Sequence, residues 1–326
     1  MNDACFQRQG TRVTIVKTMH WVAIFLLGFL FASTAPLAEA QLAAIPNSRA
    51  LDEQSRASGE GEVLWLEANG LRLKTKIYRS PKLSNHPLLI VVLHGDLLGV
   101  RGVPPSTYHY VFAERAAKKM DDAVVAAVLR PGYRDATGER SQGEQGMTTG
   151  DNYTPEVVDD IAQVIDELKA KFQPARTLLA GHSGGAAITG DVLGRWPHKV
   201  DAAFLVSCPC DLVAWRQHML RMQNNPIWSA PVKSLSPIEL VDRIPDSVRV
   251  ALLVGSKDPV TPPALSEAYA ERLRRHHVDV SLQVLPGLEH DILLEPGTLE
   301  ALKQLGENPH ARHSAAEGRK LLRLQQ

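Results

Sequence analysis

Residues 178 to 187 read Leu-Leu-Ala-Gly-His-Ser-Gly-Gly-Ala-Ala, an apolar run that passes through Gly181-His182-Ser183-Gly184-Gly185 into small helix-forming residues. Gly-x-Ser-x-Gly set between a strand and a helix places its serine on a tight turn, with the hydroxyl lifted clear of the sheet. Glycines at 181 and 185 allow backbone to approach backbone where a side chain would clash. A glycine-rich turn with an idle serine is the plain alternative, and the position directly after an apolar strand argues against it. A serine hydroxyl is a weak nucleophile, so it needs a base, and the base needs a group that fixes its tautomer.

Both partners have candidates downstream. The apolar run Val248 to Val254 leads into Gly255-Ser256-Lys257-Asp258-Pro259-Val260, and Val278 to Leu285 leads into Pro286-Gly287-Leu288-Glu289-His290. Asp258 and His290 therefore follow the carboxyl ends of two buried strands, where open α/β sheets assemble their sites. The chain order Ser183, Asp258, His290 is the order that a nucleophile on such a turn requires. Asp211 also follows a strand and competes as the acid. His276 and His277 end a helix and should face solvent, and His182 points the wrong way to serve its neighbour, so packing is its expected role.

A tetrahedral intermediate needs backbone donors, each worth about 3 kcal/mol to the transition state. Gly184, next to the serine, should supply one N–H. Leu88 to Leu93 feeds His94-Gly95-Asp96, whose Asp96 N–H is the natural second donor, with a plain turn as the alternative.

The elements that position these residues follow from apolar patterning. Val63 to Glu67 and Leu71 to Tyr78, joined by Asn69-Gly70, predict an antiparallel hairpin at the start of the domain. Apolar-rich runs at 88–93, 123–129, 177–180, 202–206, 248–254 and 278–284 are read as strands buried on both faces. Amphipathic segments at 111–120, 157–172, 185–193 and 264–273 alternate with them, which predicts a mostly parallel, doubly wound α/β sheet. The glycine-rich stretch Arg134 to Tyr153 predicts a long loop bordering the site. Leu212, Trp215, Met219 and Met222 have helical spacing, ended by Asn224-Asn225-Pro226; a core-facing helix is preferred to a substrate-lining cap.

Composition bounds the rest. The 326 residues carry 36 basic and 36 acidic side chains and are 44% hydrophobic, which fits one large globular domain. That balance offers no field for nucleic acid or an anionic membrane, so a small-molecule partner is expected. Arg8, Arg12 and Lys17 precede the apolar run Trp21 to Phe31, and Leu37-Ala38-Glu39-Ala40 ends in a cleavage pattern. Residues 1–40 thus read as an export signal that leaves no membrane span after cleavage, with Met19 as an alternative start and a periplasmic or secreted destination. Residues 41–60 read as a flexible lead-in, 61–306 as the domain, and 307–326 as a loose tail. Cys208 and Cys210 are either bridged or small buried thiols; two Cys without nearby His fall short of a zinc site.

His94-Gly95-Asp96, Arg130-Pro131-Gly132-Tyr133, Gly181-His182-Ser183-Gly184-Gly185, Asp258-Pro259-Val260 and Gly287-Leu288-Glu289-His290 together resemble the α/β-hydrolase superfamily over residues 60 to 306. The nearest branches are the esterase and dienelactone-hydrolase-like enzymes or those like prolyl oligopeptidase. The resemblance implies Ser183 as nucleophile, Asp258 as acid, His290 as base, Asp96 and Gly184 as oxyanion donors, no cofactor, and Tyr133 as a candidate for the pocket wall. Asp96 stands where many relatives carry a second glycine. No propeller domain precedes the hydrolase, which favours a small ester over a peptide as substrate. The expectation is therefore an ester-cleaving serine hydrolase, with a small peptidase or amidase, or a non-catalytic binding protein on the same fold, as alternatives.

Overall fold

In the computed structural model, which describes residues 61–96 and 108–307, Asn69 and Gly70 adopt φ of 49° and 84°. Two consecutive positive φ values are what a two-residue hairpin turn demands. The turn joins β1 (Glu62–Ala68) to antiparallel β2 (Leu71–Arg79). Strands and helices then alternate as β3 (Leu88–Leu93), α1 (Tyr108–Lys119), β4 (Ala123–Val128), α2 (Pro155–Phe172), β5 (Arg176–His182) and α3 (Gly184–Arg195). They continue as β6 (Ala202–Val206), α4 (Leu212–Gln223), β7 (Arg249–Gly255), α5 (Pro263–Arg275), β8 (Asp279–Leu285) and α6 (Pro296–Glu307). The sheet runs β1-β2-β4-β3-β5-β6-β7-β8. Only β1 with β2 and β2 with β4 pair antiparallel; every other pair is parallel.

Alternation along each strand divides the core. Leu89, Val91 and Leu93 of β3 pack with Val158, Ile161, Ile165 and Leu168 of α2, while Ile90 and Val92 pack with Phe112 of α1 and Leu302 of α6. Both faces of the sheet are covered, which is why the central strands carry no polar alternation. Thr154 caps α2 by accepting from the Val157 N–H, Pro155 supplies a preset φ at the first helical position, and Gln173 ends the helix at φ 44°.

Four features depart from the sequence-based expectation. Strand β8, expected to be buried on both faces, lies at the edge of the sheet with none of its residues buried, as the alternation of Asp279, Ser281 and Gln283 with Val280, Leu282 and Val284 accommodates. Helix α6 occupies the end of the domain, through Glu307; its Leu299, Leu302 and Leu305 recur every third residue after a Pro-Gly start. Two 3-10 helices, Pro226–Ser229 and Pro237–Arg243, follow α4. Met222 is 57% exposed, so the buried stripe of α4 stops at Met219. The expected leader over 1–40, the lead-in over 41–60 and the tail beyond 307 lie outside the described residues.

The loop from Arg134 to Tyr153 is stitched down rather than slack. Lys74, fully buried on β2, pairs with Asp135 at 2.5 Å and with Glu139, and Ser141 Oγ donates to the Leu129 carbonyl at 2.6 Å. A buried ammonium needs such partners, because an unpaired one would cost several kcal/mol. Cys208 and Cys210 are joined by a disulfide with their Cα atoms 5.1 Å apart.

One buried acid is left uncompensated. Both oxygens of Asp191 on α3 find no hydrogen-bond partner among the described residues, nor do the hydroxyls of Ser266 and Tyr269. Burial, reinforced by Glu239, pushes the Asp191 carboxyl well above the usual carboxylate range. A raised folded-state value means the favourable contribution is complete below about pH 4, the unfolded value, and is lost as pH rises toward the folded one. Asp191→Asn is therefore expected to raise the unfolding free energy at pH 7 by more than about 0.5 kcal/mol, the usual scatter of a surface change. Urea denaturation at pH 4 and pH 7 measures it; a variant no more stable than wild type at pH 7 contradicts the expectation.

Candidate active site

Ser183 sits between β5 and α3 with φ 54° and ψ −120°, a backbone conformation that side chains other than glycine adopt at a cost. Close approach on both sides holds it there. A Cβ on Gly181 would run into the backbone of Gly185, and one on Gly185 into the carbonyls of Leu93 and His94. The Ser183 N–H donates to the Val206 carbonyl at 2.9 Å, tying the turn to the end of β6.

The loops after β7 and β8 bring the two partners to this turn. Ser183 Oγ lies 3.0 Å from His290 Nε2, and His290 Nδ1 lies 2.9 Å from Asp258 Oδ2 and 3.1 Å from Oδ1. A carboxylate at Nδ1 assigns the ring proton to that nitrogen and leaves Nε2 as the acceptor facing the hydroxyl. Asp258 also accepts from the Val260 and Thr261 N–H groups at 2.9 and 2.8 Å and from Thr261 Oγ1 at 2.7 Å. Burial raises the Asp258 carboxyl, but the hydrogen bonds from His290 and Thr261 outweigh it and hold it below the usual range. Helix α4 steadies the same loop, since Trp215 Nε1 donates to the Val260 carbonyl at 2.9 Å and His218 Nε2 to that of Pro259 at 2.8 Å.

The rival residues are placed elsewhere. Asp211 caps α4 by accepting from the Ala214 N–H at 2.9 Å, and His276 pairs with Asp242 at 3.0 Å at the end of α5.

Asp96 is at the site, and its side chain is as informative as its backbone. The Gly95–Asp96 turn lies against Ser183, because a Cβ on Gly95 would stand 3.0 Å from Ser183 Cβ. A Cβ on Gly184 would collide with the Asp96 carboxylate. Gly184 opens α3, so its N–H has no acceptor within the helix. Asp96 Oδ1 accepts from Arg130 Nη1 at 2.7 Å and from the Tyr133 hydroxyl at 3.3 Å, and Oδ2 accepts from the Tyr153 hydroxyl at 2.5 Å. Burial opposes the Arg130 cation, but Tyr133, Asp96 and Tyr153 outweigh it and the guanidinium stays charged. Burial, with Asp96 beside them, raises both tyrosines, which stay protonated as donors. Tyr133 is fully buried behind Asp96. The wall position expected for it is corrected to one that supports the turn.

His182 does more than pack. Its Nε2 donates to the His290 carbonyl at 3.1 Å, and its Nδ1 accepts from the Tyr108 hydroxyl at 3.1 Å. Tyr108 accepts in turn from the Gly95 N–H at 2.5 Å, and Ser207 Oγ donates to the same His290 carbonyl at 2.8 Å. Burial pushes the His182 imidazole down to about 3, so the ring is neutral. One ring thus ties the turn at 95 to the loop at 290. No periodicity marks such a contact; the only sequence signal was a polar ring inside an otherwise glycine-rich turn.

A mostly parallel, helix-covered sheet whose serine turn meets a histidine and an aspartate from later loops defines a serine hydrolase of the α/β-hydrolase superfamily. The chain belongs to the prolyl oligopeptidase family, whose model matches residues 134–304. No curated protein matches the sequence. Among solved structures, the uncomplexed acylaminoacyl peptidase of Pyrococcus horikoshii is similar with a TM-score of 0.59 at 14% identity, over 79% of this chain and 43% of that one. Est1E of Butyrivibrio proteoclasticus, with ferulic acid bound, gives 0.55 at 16% identity over 74% of this chain and 96% of that one. An esterase of Pyrococcus furiosus gives 0.55 at 16% identity, over 76% and 93%. At such identities the likeness shows the fold alone. The chain spans less than half the length of the peptidase and nearly all of either esterase.

Proposed function

We propose that the protein hydrolyses carboxylic esters of small molecules through an acyl-enzyme on Ser183. The observation that carries this reading is the unbroken chain of hydrogen bonds from Ser183 Oγ through His290 to Asp258. His290 Nε2 takes the hydroxyl proton as Ser183 Oγ attacks the carbonyl carbon, and Asp258 stabilises the imidazolium that forms. The carbonyl oxygen becomes an oxyanion received by the N–H groups of Gly184 and Asp96. Collapse breaks the ester bond and His290 returns the proton to the leaving alcohol. Water, deprotonated by the same ring, then attacks the acyl-enzyme; the bond from Oγ to the acyl carbon breaks, His290 returns the proton to Ser183 Oγ, and the acid leaves.

Family membership favours a second reading, a peptidase or amidase at the same site. Binding without turnover would leave the three aligned side chains without a purpose. A fluorophosphonate probe at pH 7 separates catalysis from binding: the proposal requires rapid labelling of Ser183, and an unlabelled serine defeats it. Turnover of nitrophenyl esters against amino-acid amides separates the substrates, and faster amide turnover selects the peptidase reading.

The protein acts outside the cytoplasm, with its leader removed after Ala40. The pattern of residues 8 to 40 supports this, and a Cys208–Cys210 bridge suits an oxidising compartment. N-terminal sequencing of the mature protein tests it; a mature chain that still begins at Met1 or Met19 defeats it.

A further inference from the structure

A carboxylate is an adverse neighbour for an oxyanion, because like charges a few ångströms apart in a water-poor site oppose each other strongly. Asp96 is such a neighbour: it packs against Gly184, whose N–H borders Ser183. A receptor for a substrate ammonium would account for it only if its oxygens were open. They are not, since Arg130, Tyr133 and Tyr153 already donate to them, and the residue is 6% exposed.

Arg130 makes more contacts here than the ion pair requires. Its own N–H donates to His94 Nε2 at 3.1 Å and its Nη1 to the His94 carbonyl at 3.1 Å, while His94 Nδ1 donates to the Gly95 carbonyl at 2.7 Å. Nη2 reaches the Asn152 carbonyl at 3.4 Å. One residue therefore grips the His94-Gly95-Asp96 turn at both ends. Its Nε, meanwhile, is buried without a partner among the described residues. A buried charge with a donor left over adds little to stability compared with apolar packing.

We infer that Arg130 is a positioning residue for hydrolysis at Ser183: it fixes the turn that carries the second oxyanion donor and cancels the charge of Asp96 beside the developing oxyanion. The inference rests on the hydrolase reading of the site. Tyr133 and Tyr153 complete the cradle by holding the carboxylate away from the reacting carbonyl.

The test compares Arg130→Met, Asp96→Asn, the double variant Asp96→Asn with Arg130→Met, and Tyr153→Phe, on p-nitrophenyl acetate, with melting curves as the fold control. Arg130→Met leaves the Asp96 carboxylate without its counter-charge, and kcat should fall about 100-fold with KM within about threefold, the signature of an interaction made in the transition state. Removing both charges should restore at least about tenfold of that loss, which a merely structural role would not do. An Arg130→Met enzyme within threefold of wild-type kcat, or a double variant no faster than the single, overturns the inference. Should Arg130→Met fail to fold, Tyr153→Phe decides: it removes one donor without changing charge, and kcat should fall about tenfold at unchanged KM. Wild-type speed in that variant overturns the inference too. A wild-type protein that neither labels at Ser183 nor turns over ester sinks the hydrolase reading itself, whereas labelled and active wild type with indifferent variants sinks only the role of Arg130.

Discussion

Ser183→Ala lowers ester turnover by about 10⁴-fold or more, because every later step passes through the bond that Oγ forms. Stability should change by less than about 1 kcal/mol. Among the described residues the hydroxyl makes one hydrogen bond, to His290 Nε2, and alanine meets the same positive φ that serine already tolerates. Steady-state kinetics on an activated ester and thermal melting measure the two effects separately. An alanine variant that keeps a tenth of wild-type turnover would falsify the proposed nucleophile.

Gly184→Ala lowers kcat by about 1,000-fold, the upper end of what a lost oxyanion donor costs. The added methyl would occupy the space of the Asp96 carboxylate, and that carboxylate cannot retreat, since Arg130, Tyr133 and Tyr153 hold both its oxygens. Either Asp96 is pushed out with its turn or the first residues of α3 shift, and both movements separate the proposed donors at 96 and 184. Gly297→Ala is the matched control: a Cβ there meets nothing within 4 Å and its φ is not positive, so activity should stay within about twofold. A Gly184→Ala enzyme as active as that control would show that the carboxylate is freer than its hydrogen bonds imply.

Much of this arrangement was legible before any coordinates. Asn69-Gly70 marked the opening hairpin because few other pairs accept two positive φ values. The central strands were legible because burial on both faces removes polar alternation. Ser183, Asp258 and His290 were legible because strand ends announce themselves as apolar runs followed by glycine or proline, and site loops follow them. What was not legible has a common cause. The sequence points only to the N–H of Asp96, to Arg130 as part of a segment and to Tyr153 as the end of a loop, because a side-chain cluster drawn from residues 96, 130, 133 and 153 leaves no local pattern. For the same reason the sequence suggests no more than packing for the ring of His182. Its acceptor, the carbonyl of His290, lies 108 residues away in sequence. The Cys208–Cys210 pair had two open readings, since spacing permits a bridge without requiring one; the structure has the bridge.

The histidine comes last along the chain, on the loop after β8, the strand at the far edge of the sheet. Synthesis proceeds from the amino end, and domains form as units once enough chain has emerged. A nascent chain halted before residue 286 thus holds the serine turn and the aspartate loop with nothing to draw off the proton. By the mechanism proposed above, an unfinished polypeptide lacks its base until the loop beyond β8 has emerged.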